Sequence, residues 1–323
     1  MLAPAARRCL PHNPRLRSPY SLRMPLSYLH YDVFTGEALL GNQLAVFTDA
    51  RGLDAGKMQR LAREMNFSES TFILPAERPD TDTRMRIFTP MNEMPMAGHP
   101  TIGSTFALAQ TGVIRPGSAR FVFGLNIGPV PVDLEWNSSA LRFAWMTQST
   151  PAFGPIVADR AVVAAALGLE TPDLADGLPV QEVSCGVPFL LVPLRDRQAV
   201  DRAISDAAAF RRLTATTKLD RAIFMFSTDP PGSTETAYSR MFAPEFGIIE
   251  DPATGSASGP LGCYLVHHGV VAGEAARAMV SLQGAVMGRA SRIHISIDGD
   301  RGEIGRVRVG GEAVLVGRGE LLV

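Results

Sequence analysis

Two related phrases in this chain set chemically capable side chains around a glycine-led helix start. The first is Glu93-Met94-Pro95-Met96-Ala97-Gly98-His99 and the second Glu250-Asp251-Pro252-Ala253-Thr254-Gly255-Ser256. Each follows an arginine-started apolar run that ends in proline, Arg86-Ile87-Phe88-Thr89-Pro90 and Arg240-Met241-Phe242-Ala243-Pro244. A helix beginning at Gly98 or Gly255 leaves its first backbone N–H groups without an intrahelical acceptor and points its positive dipole end outward. Two such starts brought together make an anion site, suited to a substrate carboxylate. The same phrases carry the imidazole of His99, the carboxylate of Asp251 and the hydroxyl of Ser256. Each has a plain structural use as well. His99 can cap or pack a helix start, and Asp251 can accept N–H bonds from the turn behind its proline. Ser256 has no base positioned to make it a nucleophile and reads as a carboxylate contact. Glu69, between a helix and a strand, equally suits a surface position.

A repeat this long predicts an internal duplication, with a ligand where the copies meet. The elements around the phrases keep a common rhythm. Leu29 to Phe34, Gln43 to Thr48, Ser70 to Leu74 and Arg84 to Phe88 read as strands, rich in β-branched and aromatic residues. Between them Asp54 caps a helix whose apolar face is Met58, Leu61, Ala62 and Met65. The second half answers with a strand over Val187 to Pro193, a helix over Ala199 to Phe210, and strands over Ala222 to Ser227 and Tyr238 to Phe242. Pro100 to Gln110 and Ser256 to Val266 contain no charged residue, so neither helix has a side that prefers water. Gly112 and Gly269 stand as their C-terminal stops. These readings predict an α+β protein in which a sheet wraps one central buried helix, twice over.

The 323 residues carry a net charge of -1 and are 46% apolar, with charge of both signs dispersed. That balance offers no footprint for nucleic acid or for a membrane surface and favours a small-molecule partner. Cys9, Cys185 and Cys263 are too few and too scattered for a disulfide framework or a metal site, and a reducing cytoplasm is expected. His267-His268 lacks a partner at ligand spacing, so no metal is expected there. Gly310-Gly311 and Gly124-x-x-x-Gly128 lack the lysine of a phosphate loop. Arg292 and His294 alternate along a strand and are expected to face solvent. Met91, Met94 and Met96 suit either an adaptable substrate wall or core packing. Arginines and prolines before Asp32 mark residues 1–24 as a disordered basic extension, with an address tag as the lesser reading.

Asn66-Phe67-Ser68-Glu69-Ser70-Thr71-Phe72, Gly41-Asn42-Gln43-Leu44-Ala45-Val46, Ala97-Gly98-His99-Pro100-Thr101, Glu250 to Ala257 and Gln283-Gly284-x-x-Met287-Gly288-Arg289 together resemble the phenazine-biosynthesis PhzF-like family. The resemblance runs from Met24 to the end, with the motifs in order. It implies the diaminopimelate epimerase-like fold, two pseudo-symmetric domains each a β-barrel around a central helix, with no cofactor and a homodimer as the usual state. The expected division is 25–137 for the N-terminal barrel, completed by a strand within 311–323, and 138–310 for the C-terminal one. Leu141 to Met146 and Glu312 to Leu321 are the strands expected to cross between them.

Epimerases of that fold face two thiols across the substrate, one before each motif glycine. Here those positions are Ala97 and Thr254, neither of which exchanges a proton, so two-thiol racemisation is excluded. The resemblance instead carries a general acid/base onto Glu69, which can move a proton between carbons on one face without inversion. It adds His99 and Asp251 to the catalytic set and Asn42, Gly98, Gly255 and Ser256 to the substrate contacts. Many members have proline where this chain has Gln43, which bears on a loop near the site. The implied activity is a cofactor-independent isomerase of a small carboxylate, cyclic or amino-substituted. A catalytically silent carboxylate binder on the same fold is the alternative.

Overall fold

In the computed structural model the described residues are 25–217, 222–244 and 247–323. The basic segment 1–24, expected to be an extension, lies outside them. Among the described residues eighteen strands dominate, with six α-helices: α1 (Ala55–Met65), α2 (Gly98–Gln110), α3 (Arg160–Ala166), α4 (Arg197–Arg202), α5 (Ala207–Thr217) and α6 (Gly255–His267). None of the described helices is long and apolar enough to cross a membrane.

The duplication is visible in the order of strand senses. In the first half, Pro25–Val33 is antiparallel to Asn42–Phe47, which runs parallel to Glu69–Leu74; that strand is antiparallel to Thr83–Phe88, itself parallel to Arg120–Leu125. Antiparallel pairing to Gly128–Asn137 and then Ala140–Gln148 completes the set. Gln181–Ser184, Pro188–Pro193, Ala222–Thr228, Ala237–Ala243, Met279–Gln283, Ser291–Asp300 and Glu303–Gly311 repeat the same alternation in the second half.

Three pairings join the halves. Ala140–Gln148 is antiparallel to Glu303–Gly311 and forms the seam. Ala313–Leu322 then runs on to Pro25–Val33, and Ala152–Ile156 runs on to Gln181–Ser184. Leu141 to Met146, expected to cross, lies in the seam, bonded to a strand of each half; Ala152–Ile156 is the segment that continues past it.

Each barrel is filled by its uncharged helix. Gly98 to Leu108 of α2 and nearly all of α6 are buried. Several of their hydroxyls are satisfied locally, Thr101 and Thr105 donating to Ala97 O and Thr101 O and Ser258 to Thr254 O, while Ser104 bonds Thr71 and Tyr264 donates to Pro179 O, so these polar atoms cost little in an apolar barrel. Side chains such as Leu44, Ile87, Phe123 and Val132 pack around α2, while Leu191, Phe224, Ile295 and Val307 pack around α6. Gly112 and Gly269, at φ +78° and +69°, stop the two helices.

Two expectations are corrected. The helix expected over Ala199 to Phe210 is two helices, because Asp206 turns its carboxylate onto the N–H groups of Ala208 and Ala209 and starts a new one. Arg240 closes the first by donating to the carbonyls of Val200, Asp201 and Ala203 at its end. His294 faces solvent only in part: it is half-buried, edge-on to Phe143 at 5.1 Å, and burial lowers its pKa. Arg292 is exposed and pairs with Glu235.

Candidate active site

The two helix starts touch. A methyl group on Gly98 would lie 2.6 Å from Gly255 Cα, and one on Gly255 would lie 3.1 Å from Gly98 Cα, so only glycine admits the approach. Phe34, held in the left-handed region at φ 65°, wedges its ring against Gly255 from behind. In front of the paired starts lies a cavity of about 290 Å³. Its polar end is made by Glu69, His99, Asp251, Thr254 and Ser256, and its apolar wall includes Met94, Met96, Phe189, Met241 and Ile248. Met91 stands outside it, 59% exposed.

Every polar side chain sits where an element begins or ends. Glu69 opens the strand that follows α1, whose C-cap Asn66 turns left-handed at φ 53°. Asn42 opens the parallel neighbour behind Gly41, His99 is the second residue of α2, and Asp251 ends the strand Ile248–Asp251 just before α6. Glu69 Oε2 lies 3.3 Å from His99 Nδ1. Asn42 reaches across the junction, its Nδ2 donating to Asp251 Oδ1 at 2.7 Å and to Ala253 O at 3.0 Å, with His99 Nδ1 at 3.1 Å. Its Oδ1 accepts from Ser68 Oγ at 2.7 Å. Thr254 Oγ1 donates to Asp251 Oδ2 at 2.6 Å.

Burial sets the electrostatics. Glu69, His99 and Asp251 are 9%, 2% and 4% exposed. Removal from water raises the Glu69 carboxyl well above its usual range, and the charge of Asp251 adds to that. The same desolvation lifts Asp251 to about 6 against the hydrogen bonds of Thr254, Asn42 and Ser68, and lowers His99 to about 3, so its imidazole is neutral near pH 7.

The segment after Met279–Gln283 braces both loops. Gln283 Nε2 donates to Asp251 O and Thr254 Oγ1, and its Oε1 accepts from Thr254 N. Gly284 turns at φ +76°, where a side chain would strike Pro252 O and Arg289 O. Arg289 then donates to the carbonyls of Leu39, Leu40 and Gly41 and pairs with the buried Asp32. The brace thus connects the Asp251 loop to the loop that presents Asn42.

Residues 31–319 match the sequence profile of the phenazine biosynthesis-like proteins, PhzC-PhzF. The chain belongs to this family. Its PhzF relatives include an uncharacterized isomerase of Mesorhizobium japonicum, 36% identical over 92% of this chain and 99% of the relative. The trans-2,3-dihydro-3-hydroxyanthranilate isomerase of Pseudomonas fluorescens is 35% identical over 92% and 99%. Among solved structures, a PhzF family protein of Bacillus anthracis superposes with a TM-score of 0.83 at 28% identity, covering 93% of this chain and all of that one. The α+β, twin-barrel architecture is therefore the PhzF one.

Of the residues singled out in the PhzF motifs, Glu69, Gly98, His99, Asp251, Gly255 and Ser256 all line the cavity. Asn42 does not: it is fully buried, with its amide committed to Asp251, Ala253 and Ser68. Met94 and Met96 do belong to the wall. Gln148, at the end of the strand Ala140–Gln148 and outside every motif, gives no sign of its role in the sequence; its Nε2 donates to Gly255 O at 2.9 Å. Ser68, Thr254 and Gln283 stand inside the quoted motifs, but nothing in one sequence distinguishes a residue that touches the cavity from one that supports it. His267 stacks on Phe153 and His268 bonds Gln181, and no metal-ligand cluster occurs among the described residues. Cys185 and Cys263 meet at 3.8 Å, both buried in the second barrel.

Proposed function

We propose that this PhzF family member is an isomerase that shifts a proton on a small carboxylate, with Glu69 as general acid and base. A single carboxyl group that gives a proton to one carbon and removes one from another on the same face relocates a double bond without inverting a centre. One C–H bond forms, one breaks, the electron pair moves through the intervening π system, and Glu69 ends with the proton count it began with. The observation that carries this reading is a desolvated glutamate opening onto a cavity capped by two helix starts. Burial brings its proton affinity toward neutrality, as both halves of the cycle require. The first-turn N–H groups of Gly98 and His99, and of Gly255 and Ser256, have no intrahelical acceptor and are suited to a substrate carboxylate. His99, neutral and beside Glu69, orients that proton. Asn42 acts by tying Asp251 to the first barrel, and not by contact with substrate. Absence of a proton-exchanging side chain at Ala97 and Thr254 fits one-faced chemistry.

The test is incubation of the protein and its Glu69→Gln variant in D2O with trans-2,3-dihydro-3-hydroxyanthranilate, the compound named in the Pseudomonas relative, and with a panel of small unsaturated carboxylates. We expect isomerisation or deuterium incorporation by the wild type, reduced about 10²–10⁴-fold in the variant. Equal turnover by the two proteins would remove Glu69 from the chemistry.

A further inference from the structure

We infer that Gln283 is a positioning residue that decides which of the two buried carboxyl groups carries the proton: it turns the Thr254 hydroxyl toward Asp251, so that Asp251 is held ionised and Glu69 keeps the exchangeable hydrogen. The inference rests on the reading of Glu69 as the acid/base group.

The hydrogen-bond directions around Gln283 cannot be reversed. Thr254 N can only donate, and it lies 2.9 Å from Gln283 Oε1, which fixes the amide's orientation. Both hydrogens of Nε2 then face Asp251 O at 2.8 Å, which can only accept, and Thr254 Oγ1 at 3.0 Å, which must accept from it. The hydroxyl's own hydrogen is left for Asp251 Oδ2, at 2.6 Å. On the other oxygen the same logic runs through Asn42. Its Oδ1 accepts from Ser68, which turns Nδ2 toward Asp251 Oδ1 and Ala253 O. Asp251 therefore accepts a donated hydrogen on each oxygen, an arrangement that favours the carboxylate.

Glu69 has no comparable donor pair; its near neighbour is the imidazole of His99, kept neutral by burial. The charged and titratable groups around Asp251 are Glu69 and His99 from the first barrel, Glu250 beside it on its own strand, and Arg240 on the neighbouring strand, which is engaged bidentately by Glu250. None of these supplies Asp251 with a cationic partner of its own, so the donated hydrogens are what distinguish it from Glu69. Gln283 is fully buried and does not line the cavity, so it acts through Thr254.

The experiment is a titration of the intact protein labelled with ¹³C in its Asp and Glu carboxyl groups. Asp251→Asn and Glu69→Gln assign the two signals, and no ligand is added. We expect Asp251 to titrate below Glu69 in the wild type. In Gln283→Leu and in the isosteric Thr254→Val the Asp251 midpoint should rise by about one to two pH units, the equivalent of one lost hydrogen bond to a charged group. Thr254→Ser, which keeps the hydroxyl, should titrate as the wild type does. A merely structural role for Gln283 would lower stability in Gln283→Leu and leave the midpoints in place. The inference is overturned if Glu69 titrates below Asp251 in the wild type, or if Thr254→Val leaves Asp251 unmoved. Because no substrate enters, a protein that fails to exchange protons with any carboxylate yet shows the expected titrations would refute the isomerase reading and leave the role of Gln283 standing.

Discussion

Replacing Gly98 by alanine tests the closest contact between the two barrels. The added methyl would stand 2.6 Å from the Cα and carbonyl carbon of Gly255 and from the nitrogen of Ser256. Nonbonded carbon atoms settle at about 3.5–4.0 Å, so relief needs the helix starts to part by about 1 Å. No side chain can absorb this, because all three atoms are backbone and each helix lies in a filled barrel. Parting by that amount takes the 2.7 Å bond from Asn42 to Asp251 out of bonding range. Overpacking costs about 1–3 kcal/mol. Loss of a hydrogen bond to a buried carboxylate adds about 1.5–3 kcal/mol. Urea unfolding should therefore show a loss of about 2.5–6 kcal/mol, and proton exchange should fall about 100-fold for so large a misplacement. Gly112→Ala is the matched control: it carries positive φ but meets nothing within 4 Å, so it should lose about 1 kcal/mol and no activity. Wild-type exchange and stability in Gly98→Ala would refute the claim that the paired helix starts set the site's geometry.

Arg289→Met should destabilise by about 3–5 kcal/mol in urea, since it strands Asp32, 1% exposed, and frees three loop carbonyls. His99 has a folded pKa below the unfolded value of 6.5, so its stabilising share is complete above pH 6.5 and is lost as pH falls toward 3. Asp251, raised from 3.8 to about 6, works the other way and gains stability for the fold as pH falls through that interval. His99→Gln should therefore be more stable than the wild type by about 2–3 kcal/mol near pH 4.5, relative to their difference near pH 7, as read by urea unfolding; no change in that difference would contradict the neutral imidazole. Cys185→Ala/Cys263→Ala should keep proton exchange within about twofold while losing about 1–3 kcal/mol by cavity formation, because both thiols sit in the second barrel's core and outside the cavity's lining.

What the sequence disclosed follows from locality. The repeated Glu-x-Pro-x-x-Gly phrase and the two uncharged stretches behind it are contiguous, and so the buried helices, their glycine stops and their meeting point could be read directly. The split between α4 and α5 is only half local: Asp206 starts α5 from within the segment, but the end of α4 is held by Arg240, a residue remote in sequence that donates to the carbonyls of Val200, Asp201 and Ala203. The PhzF motifs set Asn42 beside the other site residues. Its hydrogen-bond partners Asp251 and Ala253 lie more than 200 positions away, and only the closed fold brings them together. The same reason hid Gln148, and it hid the partial burial of His294 against Phe143.

The exchange of strands gives the two barrels unequal histories on the ribosome. Ala152–Ile156 is synthesised before the strand Gln181–Ser184 that it flanks, so the second barrel finds its guest already waiting. The first barrel must wait for Ala313–Leu322, because Pro25–Val33 meets that partner only after almost the whole chain has followed it. At about 5–20 residues per second the delay is roughly 15–60 s, during which the edge of Pro25–Val33 is open to other chains. Two barrels of one design are thus sealed from opposite directions in time, and nascent-chain aggregation should concentrate on the earlier-made one.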